Sequence, residues 1–206
     1  MSAPLSRRGD WIQTYTLRQF WPLDPRPEDV DVYDVAHALS MQCRFTGHVD
    51  AFYSVAEHSV RVSLLAEQLA VESFRDQGRP PVFAHVRMVA RWGLLHDADE
   101  AYLADVARPV KHQPEMAAYR KAARRVLEVI LSKYGLPLDE PSEVLTADRM
   151  LLATEARDLF RGLHPAWEQP AETLPGRIQP WTPGEAERRF LDRFWLLTTS
   201  EAGGGR

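Results

Sequence analysis

Cysteine is almost missing from this chain: Cys43 stands alone among 206 residues, which excludes an internal disulfide framework. Long apolar runs are missing too. No stretch approaches the ~20 residues a membrane-spanning helix needs. The opening MSAPLSRRGDW has no apolar run of the signal-peptide kind. The expectation is a cytoplasmic protein with no membrane partner. Charge of one sign is nowhere concentrated. The 25 basic and 29 acidic residues, net −4, are spread along the chain, without the basic arm or patch that would hold a nucleic-acid duplex. Material for packing is scarce only at the ends. Residues 1–9 are expected to be disordered and residues 200–206, closing in GGGR, to form a flexible tail.

Between those ends, residues 10–199 suffice for a single domain, and a 45% hydrophobic content allows a sizeable core. Residues 11–21, WIQTYTLRQFW, are β-branched and aromatic and are closed by PLDPRPED, which predicts a short hairpin or extended arm. Everything after reads as helix. Apolar spacing predicts helices over residues 30–43, 54–75 and 84–97. Pro114 suits the first turn of a helix reaching Tyr134 and stopped by Gly135-Leu136-Pro137. Ser142 can cap a helix reaching Arg161, and Thr182-Pro183-Gly184-Glu185 has the capping-box spacing for a last helix to about Leu197. The eighteen residues HPAWEQPAETLPGRIQPW (164–181) are too long for a plain turn and predict a lid or a surface wrap.

Within these helices, charge turns up where core residues belong. In GLLHDADEAYLADVARPVK (93–111), an apolar helix runs straight into His96-Asp97. His58 falls in a row with Val62, Leu65 and Leu69, and Asp148 in a row with Leu151, Leu152, Ala156 and Leu159, so both point inward. Taken singly, an inward histidine is usually a hydrogen-bonded core residue and an inward aspartate a salt-bridge partner. Taken together, two imidazoles and two carboxylates suit a divalent first-row cation such as Mn, Fe, Co or Ni, and the alternative is a polar core network. Glu155 shares the Asp148 face and can stand behind the ligands. His37, seven residues before Arg44, can share its face, as a substrate contact or as a structural histidine.

The set His58, His96-Asp97, Asp148, in the strings SVAEHSV, LLHDADEAYLADV and TADRMLLATEARDL, resembles the H…HD…D signature of the HD-domain metal-dependent phosphohydrolases. The likeness covers roughly residues 32–159. It is greatest to the small YfbR-type 5′-deoxynucleotidases and to their prophage YfdR-like and phage dATP triphosphohydrolase relatives, the latter through ALSMQCRFTGH (38–48). The resemblance implies an all-α HD-domain helical bundle and one divalent metal ion (Mn, Co, Fe, Ni or Mg) on His58, His96, Asp97 and Asp148. It implies hydrolysis of (deoxy)nucleoside 5′-phosphates, mono- or triphosphate, by metal-activated water attack on phosphorus. Asp97 and Glu100 are the implied catalytic residues, Glu100 protonating the departing oxygen. Arg44 is implied to hold phosphate, Asp105 and Lys111 to lie near the nucleotide, and Phe45 stands where the YfbR type has a tryptophan beside the sugar. Bimetallic HD enzymes add histidines between the HD pair and the last aspartate. Only His112 lies there, which favours a mononuclear site. The small relatives are commonly oligomers, so a homo-oligomer is expected as well. The alternatives are a non-catalytic nucleotide-binding HD module and an alarmone hydrolase.

Overall fold

A computed structural model describes residues 7–199. Residues 1–6 and 200–206, on which most of the expected terminal disorder falls, lie outside the described residues. Arg7, inside the stretch expected to be disordered, is held by Asp29 at 2.7 Å and lies over the Trp21 ring.

The hairpin is present and small. Strand β1 (Ile12–Gln13) pairs antiparallel with β2 (Gln19–Phe20), Ile12 opposite Phe20. Phe20 is fully buried and stacks on Tyr102 at 3.7 Å between ring centroids, and Thr16 in the turn donates from its N–H and Oγ1 to Asp34 (2.6 and 2.8 Å), so the hairpin is anchored at two points.

The remaining regular structure is helical: α1 (Val32–Ser40), α2 (Val55–Asp76), α3 (Phe83–Leu95), α4 (Glu100–Leu103), α5 (Arg108–Lys111), α6 (Ala117–Lys133), α7 (Ser142–Leu159) and α8 (Pro183–Thr199), of which the short α4 and α5 are not among the helices that the spacing predicts. Helix α2 is the axis of the bundle, with α3, α7, α8 and α1 packed around it. Its start is set by Ser54, whose side chain accepts from Glu57 N–H at 3.0 Å. The α2/α3 crossing is close because Gly93 has no side chain. A Cβ there would stand 3.2 Å from Ser63 Cα. Ser63 Oγ donates to Ala90 O at 2.7 Å and accepts from Arg193 of α8 at 3.0 Å, tying three helices at one point.

The boundaries differ from the sequence pattern in instructive places. Helix α1 ends at Ser40 rather than Cys43. Residues 42–44 instead lie beside the start of α2, through a Cys43–Ser54 bridge, Arg44 N–H on Tyr53 O (2.9 Å) and Val55 N–H on Gln42 O (3.1 Å). Helix α3 stops at Leu95, and His96-Asp97 open a tight turn closed by Ala98 N–H on Leu95 O and Glu100 N–H on Asp97 O. Pro141, not Ser142, occupies the cap position of α7. The 164–181 stretch is a wrap over much of its length. Leu174 N–H donates to Thr154 Oγ1 (2.9 Å), Ile178 N–H to Asp158 (2.9 Å) and Trp181 N–H to Glu57 (2.7 Å), fastening it across α7 and α2.

Candidate metal centre

Three elements bring four side chains together: His58 from the first turn of α2, His96-Asp97 from the turn after α3, and Asp148 from the second turn of α7. The His58 and His96 Nε2 atoms are 3.3 Å apart. Asp97 Oδ2 is 3.2 Å from His96 Nε2 and 3.8 Å from His58 Nε2, and Asp148 Oδ1 is 3.2 Å from His58 Nε2. His58, His96 and Asp97 offer ligand atoms all within 4.8 Å of one another, and Asp148 joins the group through His58.

The far nitrogens decide the chemistry. His58 Nδ1 lies 2.6 Å from Glu155 Oε1, and His96 Nδ1 lies 2.8 Å from Gly93 O. Both partners only accept, so each ring keeps a proton on Nδ1 and, when neutral, turns an Nε2 lone pair toward the other. Two lone pairs and two carboxylates converging at this distance repel one another unless a proton or a cation sits among them. The donor set, hard oxygen and imidazole nitrogen with no thiolate, fits a divalent first-row ion, and the ring orientation imposed from behind is the arrangement metal-ligating histidines use.

The electrostatics carry the same imprint. Burial alone would depress the His96 imidazolium, but Asp97 outweighs it and the pKa is pushed up to about 10. His58 is raised too, with Glu155 and Asp148 prevailing over burial and the repulsion of Arg44. Burial would raise the Asp97 and Asp148 carboxyls. The facing imidazoles reverse that, holding Asp97 well below the usual range and Asp148 at about 2. The cluster is thus a trap for positive charge, whether protons or a metal ion.

Glu155, fully buried, is the hub behind this group. Its Oε1 accepts from His58 and from Tyr53 Oη (2.9 Å), and its Oε2 accepts from Arg44 Nε (3.2 Å). Arg44 also extends Nη1 to 3.6 Å from Asp97 Oδ2. One carboxylate therefore orients both His58 and the guanidinium. The two-turn spacing from Asp148 signals Glu155 in the sequence. Tyr53 carries no such signal and is found only by the fold.

A cleft of about 770 Å³ opens at this centre. Asp97, Asp148 and Arg44 stand at its floor, Asp105, Arg108, Lys111 and His112 along one side, and Phe45, Phe160 and Trp167 along another. Four of the five positions expected near substrate, Arg44, Phe45, Asp105 and Lys111, are brought together here. His37 is not. It pairs with Glu187 at 3.1 Å under the stacked ring of Tyr15 and lines a separate cavity of about 300 Å³ beside the hairpin. Its face on α1 and that of Arg44 part company because α1 ends before Arg44. Glu100 is 4% exposed and lies behind Lys111, whose Nζ is 3.2 Å from Glu100 Oε1. Burial, then the charges of Asp97 and Asp105, raise the Glu100 carboxyl to about 8 against the pull of Lys111. No helix among the described residues is long and apolar enough to cross a membrane.

Comparison with known proteins agrees with this geometry. The family model for 5′-deoxynucleotidase YfbR-like proteins matches residues 47–139, a span that holds His58, His96, Asp97, Glu100 and Lys111. The chain is 34% identical over 189 residues to the uncharacterized protein YfdR of Escherichia coli, covering 89% of this chain and 93% of that one. It is 32% identical over 205 residues to an uncharacterized protein of Rhodobacter capsulatus, covering 94% and 98%. With the H…HD…D residues assembled on the helical bundle and likeness along nearly the whole chain, this protein belongs to the YfbR-like family of HD-type phosphohydrolases.

Proposed function

We propose that the protein hydrolyses (deoxy)nucleoside 5′-phosphates, with the phosphate next to the sugar held against His58, His96, Asp97 and Asp148. The observation that carries the reading is the convergence of two imidazole Nε2 atoms and two carboxylates at the floor of a cleft that also presents Arg44, Arg108 and Lys111. Those four residues would hold a divalent cation, which would supply Lewis acidity and lower the pKa of a water molecule. Arg44, locked by Glu155 behind it, offers its remaining N–H groups to the phosphoryl oxygens and offsets the charge gathering there. Asp97 lies between His96 and Arg44 and orients the attacking water.

Water adds to phosphorus, the bond from phosphorus to the departing oxygen breaks, that oxygen takes a proton from Glu100, and the released phosphate, which carries both protons of the water, returns one to Glu100. A carboxyl with a pKa of about 8 is largely protonated at neutral pH, the state an acid catalyst needs. Lys111, in contact with it, stabilises the carboxylate left behind. A binding module without turnover has no use for a buried proton donor beside a phosphate pocket.

Metal-loaded protein incubated with nucleoside mono-, di- and triphosphates should release phosphate from monophosphates, or triphosphate from triphosphates. The product identifies the substrate class. Nucleotides that bind and are returned intact with every divalent ion tried would reduce the protein to a binding module.

A further inference from the structure

Arg44, Phe45, Phe160 and Trp167 form an unbroken line along one wall of the cleft. The Arg44 guanidinium lies 5.4 Å from the Phe45 ring centre. Phe45 meets Phe160 edge-on at 5.0 Å between centroids, and Phe160 meets Trp167 at 5.5 Å, tilted by 52°. All four line the same cavity. Its floor end is charged, 3.6 Å from Asp97, and its outer end is wholly aromatic.

Two features set this line apart from ordinary packing. Phe45 and Thr46 adopt φ of 56° and 51°, the left-handed region that side chains with a Cβ avoid, so the turn carrying Phe45 to the wall is held against its local preference. Trp167, the largest side chain type, is left 38% exposed at the mouth instead of being packed under the wrap that contains it. Among the described residues, the hydrogen bonds that fasten the wrap to Thr154, Asp158 and Glu57 begin at Leu174.

We propose that Phe160 and Trp167 form the platform on which the base of the nucleotide stacks, so that the wall reads phosphate, sugar and base in order from Arg44 outward. The inference rests on the reading of this cleft as a nucleotide site. Every base presents a π face, so a platform of this kind accepts all of them and favours the larger purines. Neither residue falls in the 47–139 span that the family model matches.

Two measurements on the full, metal-loaded protein test it. In the first, Trp167→Ala should raise KM for deoxyadenosine monophosphate about tenfold more than it raises KM for 2-deoxyribose 5-phosphate, which has no base, with kcat largely kept. Equal losses on both substrates would assign Trp167 a merely structural role and overturn the platform. In the second, deoxyadenosine monophosphate should quench the intrinsic tryptophan fluorescence, and Trp167→Phe should lose most of that quench while keeping most of the affinity. A quench that survives in Trp167→Phe overturns the proposal even if Trp167→Ala fails to fold. A wild-type protein that binds and quenches without releasing phosphate removes the hydrolase reading and leaves the platform standing. One that hydrolyses nucleotides with no excess loss in Trp167→Ala removes the platform alone.

Discussion

The two ends of the cleft are built differently. At the floor, His58 and Glu155 are fully buried, the donors come from α2, α7 and the turn closing α3, and each histidine is aimed by an acceptor behind it. At the mouth, Phe160 stands just past the end of α7 and Trp167 sits on irregular chain, half open to solvent. The contrast follows from what each end has to do. Reaction geometry tolerates errors of a fraction of an ångström, which helices with a second layer of hydrogen bonds can hold. A stacked ring slides and tilts at little cost, so a loop suffices.

That contrast is broken most severely from the floor. His58→Ala removes a candidate ligand from the middle of the group, and it should abolish both bound metal and phosphate release, read by elemental analysis and product assay on the same sample. Glu100→Gln should come next, with turnover on monophosphates lower by about 10²–10⁴-fold while metal content stays near one ion per chain. Loss of the metal in that variant would make Glu100 a ligand instead of an acid. Glu155→Gln keeps the shape but weakens the aim of His58, and it should cost about 10–100-fold in metal affinity, measured by chelator competition. An unaltered affinity would show that the buried hub serves packing alone.

The smallest effect is one of pH. In the metal-free chain the His96 pKa of about 10 exceeds its ordinary 6.5, so the proton it holds stabilises the fold. That contribution is complete below about pH 6.5 and is lost as pH rises through about 10. The Tm of metal-free protein should fall across this window. Metal-loaded protein should show a flatter profile there, because the ion takes the place of the proton. Parallel profiles would mean that the ion does not occupy the His96 lone pair.

How much of this was readable beforehand depends on the kind of signal. His58 and Asp148 were legible because a polar residue in an apolar helical row must face inward, and Glu155 because two turns return a side chain to the same face. The helix predicted over residues 30–43 runs three residues too far. Propensity continues α1 to Cys43, but pairing with the start of α2 ends it at Ser40. The association of His37 with Arg44 failed for the same reason, since a shared face exists only while the helix does. Phe160 and Trp167 gave no periodic signal, one at a helix end and the other in a Pro-rich wrap.

By itself, the sequence determined the helical class, the inward faces and the four donors of the candidate centre, because helical phase is local and each of those features repeats within a few residues. Which faces meet was decided only in three dimensions. The missing Cβ of Gly93 lets α3 approach Ser63 of α2, and that crossing brings His96 Nε2 to 3.3 Å from His58 Nε2. The row of rings from Phe45 to Trp167 likewise joins residues far apart in the chain. Such contacts depend on how helices cross and loops wrap, and no periodicity along one strand of sequence encodes a distance between two.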